Sequence, residues 1–404
     1  MKAYTTDILV IGGGLIGLST AMHLKTMHPR LDITVIEKDQ RLAAHQSGHN
    51  SGVLHSGIYY EPGSLKAKFC VEGHAALIEF CVQHGVPVLH CGKVIVASNN
   101  KEIDRLDALY DRGAGNGVPD LKIIDEDELR AIEPNVRGVC ALHAPHAAVV
   151  DFRLVAAKYA QSFHSAGGKI VLKTGFKSAK WTKGRIRAKT TRGPIDAGFI
   201  VNCAGLYADR VAKASGTKPG LKIIPFRGEF YEVKGASRAL VKGLVYPVPD
   251  PKLPFLGAHL TPPVNGTTKA GPNAVLATKR EGYSRSDFAF GDFVSTLSYA
   301  GTWKLVARNW LPGIGEIYRS LHKGAFVKRL RRLVPDIDAD DLVPGGSGVR
   351  AQALDRNGRL IDDFRIEEGP GAIHVLNAPS PAATSSLMIG KHIADMADLR
   401  INSD

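Results

Sequence analysis

The stretch DILVIGGGLIG at residues 7–17 decides the fold class of this protein. It begins with an almost continuously apolar run, which is typical of a strand buried in a parallel sheet, and it ends in the pattern G-x-G-x-x-G. A helical sequence at 15–27 and a second apolar strand at 33–36 follow and lead into Glu37. Together these segments predict a strand–helix–strand unit of the kind that binds a dinucleotide.

Each residue of the glycine pattern has a separate physical role in such a unit. Gly12 permits the tight turn after the strand, Gly14 lets the backbone approach a pyrophosphate, and Gly17 lets helix and strand pack closely. The helix N-terminus offers N–H groups and partial positive charge to the pyrophosphate. Glu37 can accept hydrogen bonds from the ribose hydroxyls, and its charge disfavours a 2′-phosphate. This unit by itself fits NAD and FAD equally.

Composition and charge narrow the class of protein without choosing its ligand. The 404 residues suggest two or three domains. A hydrophobic fraction of 44% and a charged fraction of 23% exclude disorder, collagen and coiled coil as the main architecture. No apolar run approaches the roughly 18 residues that a membrane span needs. The net charge of +13 predicts attraction to anions: phosphates, carboxylates, acidic lipids or nucleic acid.

Cysteine usage favours a reducing compartment. The five cysteines are odd in number and contain no C-x-x-C pair, so we interpret them as reduced thiols, mostly in the core. The six residues before Asp7 are too few for a signal peptide, and no transit peptide is visible, so we expect a cytoplasmic protein. The sequence shows no metal site, Fe–S cysteine set or haem motif.

Beyond Glu37 the chain alternates predicted helices and strands. Hydrophobic spacing predicts helices at 65–84, 102–116, 126–132, 152–164 (capped by Asp151), from 207, and at 382–397. Strands are predicted at 92–98, 168–172, 199–205 and 372–376, with a β-meander at 177–191. Residues 226–300 are rich in Pro, Gly and aromatic residues, which favours β-structure with long loops around a substrate cavity. This organisation is that of large FAD-binding domains with an insertion.

Several further stretches resemble one family. The chain is similar, nearly end to end, to the FAD-dependent L-2-hydroxyglutarate dehydrogenases/oxidases of the D-amino-acid-oxidase-like superfamily. The stretches most specific to that family are HNSGVLHSGIYY, PFLGAHLT and NAPSPAATSS. Other matching stretches are VNCAGLYADR (201–210), PFRGEF (225–230), YPVPD (246–250), GPNAVLATKREGY (271–283) and GVRAQALDRNG (348–358).

The resemblance implies both a fold and a reaction. The expected fold is α/β, with a Rossmann-like FAD-binding domain that includes the β-meander and a β-rich α+β substrate domain. The FAD-binding domain is expected to be discontinuous, at 1–85, 150–224 and 340–404, and the substrate domain to take 86–149 and 225–339. The implied reaction oxidises L-2-hydroxyglutarate to 2-oxoglutarate by hydride transfer from the α-carbon to N5 of a non-covalent FAD. The electron acceptor is expected to be a quinone or oxygen.

This reaction needs a base for the hydroxyl proton and cations for the carboxylates. A neutral imidazole suits the base, and the resemblance offers both His55, expected beside the isoalloxazine, and His259, expected to cover the substrate. The choice between them stays open. Arg350 is the candidate that binds the α-carboxylate bidentately. The candidates for the second carboxylate are Tyr246, Arg227, Lys279 and Arg280.

The resemblance also implies a set of cofactor contacts. The N-terminus of the last helix is expected to stabilise negative charge at the flavin N1–C2=O edge, although an ordinary Ser/Pro cap with Pro381 near N1 fits the same residues. The full set expected to bind FAD is Gly12, Gly14, Gly17, Glu37, Ser51, Gly52, Phe176, Gly205, Gly348, Ala383, Thr384 and Ser385.

The segment Tyr318–Pro335 is basic and amphipathic. Its apolar residues at 326, 327, 330, 333 and 334 fit one helical face. One interpretation is a peripheral helix that lies on an acidic membrane surface, at the inner face of the cell membrane. The other is a substrate-domain helix with a solvated outer face. The basic residues are Arg319, Lys323, Lys328, Arg329, Arg331 and Arg332, and the segment contains no acidic residue.

Two other functions compete with the implied one. The first is a related FAD-dependent amine or glycerol-3-phosphate oxidoreductase. The second, from a different class, is a flavoprotein that binds nucleic acid, which the net charge of +13 motivates. Aromatic residues make up only 7% of the chain and do not alternate with a basic stripe, as stacking on bases requires, so we expect no nucleic-acid partner.

Overall fold

The computed structural model describes residues 4–182, 184–250, 257–262, 264 and 266–401. The strands are β1 (Tyr4–Ile11), β2 (Ile33–Ile36), β3 (Val53–Leu54), β4 (Val88–His90), β5 (Lys93–Ala97), β6 (Lys122–Asp125), β7 (Cys140–Ala144), β8 (Ala148–Val150), β9 (Lys169–Val171), β10 (Phe176–Thr182), β11 (Arg185–Thr190), β12 (Gly193–Asn202), β13 (Leu221–Val233), β14 (Leu244–Pro247), β15 (His259–Thr261), β16 (Lys269–Gly271), β17 (Val275–Leu276), β18 (Leu342–Asp355), β19 (Arg365–Gly369) and β20 (Ala372–Asn377). The α-helices are α1 (Leu15–Met27), α2 (Leu65–Gln83), α3 (Ile103–Gly115), α4 (Glu126–Ile132), α5 (Phe152–Ser165), α6 (Ala208–Ala214), α7 (Phe290–Leu297), α8 (Ala300–Leu321), α9 (Lys323–Leu330) and α10 (Ser386–Ile401).

The first sheet contains the predicted strand–helix–strand unit. Its strand order is β10-β11-β12-β1-β2-β9, and β20 adds to β12 in parallel, with β19 antiparallel to β20. β1 lies between β12 and β2 and pairs with both in parallel. The antiparallel hairpins β10–β11 and β11–β12 form the predicted meander. This is the Rossmann-like arrangement that the sequence predicts.

Backbone sterics explain two of the three glycines in the G-x-G-x-x-G pattern. Gly12 has φ +114°, a conformation that L side chains rarely adopt, and a Cβ there would collide with the Cys203 carbonyl. A Cβ on Gly17 would collide with the Gly12 carbonyl. The turn and the close packing of α1 on the sheet therefore both require glycine.

The second sheet forms the other half of the molecule. Its order is β17-β13-β16-β15-β14-β5-β7-β6, and β18 pairs antiparallel with β13 over almost their full lengths. The third sheet is small, and β8 lies between β3 and β4 in it. The β13–β18 pair joins residues from both sides of the predicted boundaries at 224 and 340. The domain boundaries themselves stay a prediction, and residues 1–3 and 402–404 lie outside the described part.

Each of the two large sheets has its own apolar core cluster. One core cluster joins β1, α1, α5 and α10 and includes Ile8, Leu18, Phe163 and Ile393, all at most 1% exposed. Another joins β5, β14 and α9 and includes Phe326 and Leu330. All five cysteines are free thiols, as predicted, but only Cys70 and Cys81 are buried, and Cys91, Cys140 and Cys203 are partly exposed, so fewer lie in the core than expected.

The structure corrects three predicted elements. The last helix begins at Ser386 instead of residue 382, because residues 380–385 form turns. Pro381 therefore does not lie at the first position of the helix. Part of the predicted β region is the helix α7. The segment 318–335 is not one helix, since α8 ends at Leu321 and the separate α9 turns its apolar residues into the core.

In contrast to α9, helix α8 exposes its apolar face to solvent. It carries an apolar stripe at helical spacing that is 45% to 64% exposed, and its residues are Trp303, Val306, Trp310, Leu311, Ile314, Ile317, Tyr318 and Leu321. The exposed Phe290 and Val294 of α7 belong to the same kind of surface. Within the described residues, no helix has the length and apolar character needed to cross a membrane.

Candidate active site

A cavity of about 1250 Å³ lies between the two sheets. It is larger than the roughly 300–1,000 Å³ of a typical small-ligand site, so it has room for a dinucleotide and a substrate together. Its lining includes most of the residues expected from the sequence: Gly12, Gly14, Glu37, Ser51, Gly52, His55, Phe176, Gly205, Tyr246, His259, Gly348, Arg350 and Ala383.

Backbone turns form one side of this cavity, which we call the glycine wall (Gly12, Gly14, Gly52, Gly205 and Gly348). Gly52 and Gly205 have positive φ, +78° and +51°. Gly14 differs, because its φ of −87° suits any residue and a Cβ there would approach only the Ser47 Oγ, at 3.0 Å. The protein's own packing therefore leaves the space beside Gly14 free for a ligand that approaches the backbone.

The carboxylate of Glu37 lies at the end of β2 beside the glycine turn. It is buried and accepts hydrogen bonds from the backbone N–H groups of Gly13, at 2.8 Å, and Asp39, at 2.9 Å. These bonds fix its orientation at the cavity. The adenosine diphosphate part of FAD fits these features. The fixed acid suits its ribose, and the space beside Gly14 and the start of α1 suit its pyrophosphate.

The turn before α10 also reaches the cavity, next to the segment that carries His55. Ala383 lines it, whereas Thr384 and Ser385 are fully buried behind it. The Thr384 Oγ1 accepts a hydrogen bond from the His55 backbone N–H at 3.0 Å. Thr384 therefore positions the segment that carries His55, and the structure does not place Thr384 or Ser385 in contact with the cavity.

Polar side chains form the remaining side, which we call the side-chain wall (His55, Tyr246, His259 and Arg350); Tyr246 and His259 are buried, and His55 and Arg350 are half-buried. His259 stacks on Tyr246 with 3.9 Å between ring centroids. Its Nδ1 lies 3.1 Å from the Gly257 carbonyl, a bond that fixes the tautomer with the proton on Nδ1. Burial, with smaller effects from the charges of Lys93 and Arg350, lowers the pKa of His259 to about 3.

The two candidate bases differ in their hydrogen bonds. Within the described residues, the buried Nε2 of His259 has no hydrogen-bond partner, so it is a free acceptor that points away from Gly257. His55 has the reverse arrangement, because its Nε2 lies 3.3 Å from the Ser380 Oγ and, within the described residues, its buried Nδ1 has no hydrogen-bond partner. Burial, followed by the charge of Lys93, lowers the pKa of His55 well below its usual value. Both rings are therefore neutral near pH 7.

Arg350 enters the side-chain wall from β18. Its Nη1 donates to the Asn273 carbonyl at 3.2 Å, and burial lowers its pKa to about 10. The neighbouring strand makes room for the guanidinium at Gly228, where a Cβ would lie 3.1 Å from that nitrogen. Gly228 was not among the expected residues, although it lies in the PFRGEF stretch.

Three of the four candidates for the second carboxylate lie elsewhere. The Arg227 guanidinium pairs with Glu229 at 3.1 Å, and Arg280 forms a buried pair with Asp209. Lys279 does not line the cavity. This placement does not support a substrate-binding role for these residues, because carboxylates already neutralise Arg227 and Arg280 and Lys279 lies outside the cavity lining. Only Tyr246 lies at the cavity.

One charged side chain near the cavity was not predicted. Lys93 begins β5 and is 2% exposed, and its Nζ lies 4.2 Å from the ring centroid of Tyr246 and 5.1 Å from that of Tyr59. Both rings line the cavity. The sequence contained a signal for it, because a lysine directly before the apolar run VIVA has to enter a buried strand. In the described part of the chain there is no cluster of three or more potential metal ligands.

Comparison with known proteins identifies the class that this fold and site define. The sequence profile of the FAD dependent oxidoreductase family matches residues 7–396. The chain belongs to this family, and FAD is its cofactor.

Full-length relatives narrow the class further. The chain is 47% identical to an L-2-hydroxyglutarate dehydrogenase of Indibacter alkaliphilus over 97% of this chain and 98% of the relative. It is also 47% identical to the human mitochondrial L-2-hydroxyglutarate dehydrogenase, over 98% and 89%. Identity to the Escherichia coli enzyme of the same name is 43%, over 96% and 92%.

Solved structures show the same fold at lower identity. The FAD-bound L-α-glycerophosphate oxidase of Mycoplasma pneumoniae superposes with a TM-score of 0.80 at 23% identity, over 98% of this chain and 95% of that one. The glycine oxidase of Geobacillus kaustophilus gives a TM-score of 0.72 at 18% identity, over 98% and 95%. These likenesses support the fold and do not choose a substrate.

Proposed function

We propose that this protein oxidises L-2-hydroxyglutarate to 2-oxoglutarate. The observation that carries the proposal is the side-chain wall, which combines a free imidazole acceptor with a guanidinium at one end of a cavity whose other end fits FAD. The relatives of 43% to 47% identity act, by their names, on this substrate. When bound, FAD supplies the acceptor for the hydride that leaves the α-carbon.

The chain's own residues divide the remaining work. Arg350 binds the α-carboxylate, since its planar guanidinium matches a carboxylate with two N–H groups. His259 accepts the hydroxyl proton at Nε2, because Gly257 already holds the proton on Nδ1. His55, held by Ser380 and Thr384, orients the substrate from the other side. Burial of these groups excludes water and strengthens their electrostatic effect.

Anaerobic titration of the purified holoprotein tests this function. We expect L-2-hydroxyglutarate to bleach the flavin absorbance, and the D-enantiomer, glycerol 3-phosphate, glycine and other amino acids to leave it oxidised at equal concentration. Bleaching by glycerol 3-phosphate or by an amino acid instead would assign the protein to one of the alternative classes. Bleaching by none of these compounds would refute the proposed substrate.

The reduced flavin also needs an electron acceptor from outside the protein, a quinone or oxygen. We infer that the exposed stripe of α8 docks on an acidic membrane surface, where a quinone is available. Trp303 and Trp310 suit the membrane–water interface, and the exposed Lys304 and Arg308 on the same helix complement anionic lipid. The apolar residues of α9 are buried, so α9 contributes only its solvated basic face.

Co-sedimentation with anionic vesicles at low salt distinguishes the contributions of α8 and of the basic segment at α9 to membrane binding. The change Trp310→Ser with Ile314→Ser removes apolar area and should abolish binding, whereas Lys328→Glu with Arg331→Glu should only weaken it, by about 1 kcal/mol for each lost charge. Binding should also fall as salt rises. A wild-type protein that stays in the supernatant would favour oxygen or a soluble acceptor. If the α8 change instead splits a dimer in sedimentation analysis, the stripe is a subunit interface.

A further inference from the structure

Lys93 differs from every other buried cation in the described part of the chain. Four other Lys or Arg side chains are buried, and each has oxygen partners: Lys25 donates to two backbone carbonyls, Lys66 to Asp362, Arg227 to Glu229 and Arg280 to Asp209. In the same described residues, Lys93 has no carboxylate or carbonyl partner. In place of oxygen atoms, the ring faces of Tyr59 and Tyr246 lie next to its ammonium group.

An uncompensated cation in this position costs free energy. A buried ammonium loses its hydration, and attraction to ring faces returns only part of that cost. The neighbours whose charges act on Lys93 are the thiols of Cys70 and Cys91, which carry no charge near pH 7. Burial accordingly lowers the pKa of Lys93 to about 8. The ammonium therefore stays mostly charged at pH 7 in surroundings that contain no fixed anion for it.

Lys93 does not itself line the cavity, and its charge acts on the cavity through the groups that do. It contributes to the lowered pKa of both His55 and His259, and the two rings beside its Nζ, those of Tyr59 and Tyr246, line the cavity. A ligand with two carboxylates brings two negative charges into this space. Arg350 balances one of them.

We propose that Lys93 compensates the second carboxylate of the substrate and thereby makes the site selective for 2-hydroxydicarboxylates over 2-hydroxymonocarboxylates. This inference rests on the proposed function. Lys93 is a specificity-determining residue on this account, because its charge is balanced only when a dianion is bound. It replaces the arginines and the lysine that the sequence suggested for this role.

The test compares two substrates that differ only at the distal end. L-2-hydroxyglutarate and L-2-hydroxypentanoate have the same five-carbon chain, but the second has a methyl group in place of the distal carboxylate. We expect Lys93→Met to lower kcat/KM for anaerobic flavin reduction by L-2-hydroxyglutarate about 10²-fold, with little change for L-2-hydroxypentanoate. Lys93→Arg, which keeps the charge, should retain most of the preference.

A matched control is Lys25→Met, which removes a buried lysine far from the cavity and should leave the substrate preference unchanged. Lys93→Met should also unfold at a temperature equal to or above that of the wild type, because removing a buried uncompensated cation relieves a cost. An unchanged preference in Lys93→Met would overturn the inference. So would an equal loss for both substrates, which would indicate a structural or general catalytic role.

Binding of glutarate, measured by calorimetry, gives a readout that does not depend on turnover. Lys93→Met should bind glutarate about as weakly as the wild type binds pentanoate, and equal glutarate affinity in the two proteins would contradict the proposal. If wild-type holoprotein binds glutarate through Lys93 but L-2-hydroxyglutarate does not reduce the flavin, the proposed function fails while this inference stands.

The pH dependence of glutarate binding sharpens the assignment. Affinity should be constant between about pH 6 and pH 7.5, where both carboxylates of glutarate are ionised. Above pH 8 it should fall about tenfold per pH unit as the ammonium loses its proton. The other titratable groups around Lys93 change charge elsewhere: the imidazoles below pH 7, the thiols and phenols near or above pH 11. They are His55, His259, Cys70, Cys91, Tyr59 and Tyr246. Lys93→Arg should remove the fall at pH 8.

Discussion

The two sides of the cavity are built by different means. The glycine wall consists of backbone turns, and its chemistry is the absence of side chains at positions such as Gly14. The side-chain wall consists of His55, which follows β3, and of Tyr246, His259 and Arg350 on strands of the second sheet. Hydrogen bonds to the carbonyl groups of Gly257 and Asn273 hold His259 and Arg350. One wall is therefore damaged by adding atoms, and the other by removing charge or a proton acceptor.

The largest expected effect comes from adding a side chain to the glycine wall. Gly14→Leu should give folded but colourless protein, because the backbone at Gly14 suits any residue while the side chain fills the space for the pyrophosphate. Gly17→Leu should fail to fold, since it collides with the Gly12 carbonyl. Flavin content and circular dichroism of the two variants separate these outcomes. A normal FAD content in Gly14→Leu would refute the role of this turn.

On the side-chain wall, the next effect is loss of the proton acceptor. His259→Gln should slow flavin reduction by roughly 10²–10⁴-fold while FAD stays bound. His55→Gln should have a smaller effect if, as proposed, the free Nε2 of His259 and not the free Nδ1 of His55 accepts the proton. Anaerobic stopped-flow reduction of both variants provides the measurement. A larger loss in His55→Gln would reverse the assignment of the base.

Replacing the guanidinium by an ammonium tests the geometry of the clamp. Arg350→Lys should raise the activation free energy by about 1.5–3 kcal/mol, since it keeps the charge but loses bidentate binding. Arg350→Met should cost more. The quantity to measure is kcat/KM with L-2-hydroxyglutarate. Wild-type values in both variants would show that another residue binds the α-carboxylate.

The pH dependence of kcat/KM with L-2-hydroxyglutarate tests whether His259 is buried in the way that lowers its pKa. A pKa of about 3 means that the ring stays neutral well below the usual histidine range. We therefore expect kcat/KM to stay level between about pH 7 and 5.5, above the range in which the substrate carboxylates titrate. A tenfold fall per pH unit that begins near 6.5 would show that the base has an ordinary, solvated pKa.

The smallest expected effect concerns the cation outside both walls. Lys279→Met should change kcat/KM by less than about twofold, because surface substitutions away from a site usually stay within about 0.5 kcal/mol. Kinetics under the conditions used for Arg350→Lys make the comparison direct. A loss as large as that of Arg350→Lys would mean that Lys279 reaches the substrate in the bound state.

The same contrast explains what the sequence could and could not predict. The part of the glycine wall at Gly12 and Gly14 follows from residue spacing within one short segment, so the turn, α1 and the acid at Glu37 are all found where the pattern predicts them. The side-chain wall assembles residues from β14, β15, β18 and the segment after β3, with Lys93 of β5 behind them, and their proximity depends on sheet order. Motif resemblance located His259 and Arg350, but it could not distinguish Arg227, which Glu229 neutralises, from Lys93, which no described carboxylate neutralises.

The amphipathic pattern of a helix also does not predict whether its apolar face is buried or exposed. The apolar residues of α9 and those of α8 have similar helical spacing, yet Phe326 is buried in the core and Trp310 is exposed. The difference depends on which helix packs against the second sheet. That choice is a property of the tertiary structure, and periodicity within either segment does not contain it.

The order of strands in the first sheet has a consequence for synthesis of the protein. α1, near the start of the chain, packs so closely against α10 that a Cβ on Gly390 would collide with Ser19, and β12 pairs with β20 only after residue 372 has been made. At roughly 5–20 residues per second, the first helix waits about 20–80 s on the ribosome for its partner. During that interval the face of α1 that packs against α10 lacks its final covering, and α5, which also packs against α1, is completed much earlier in synthesis.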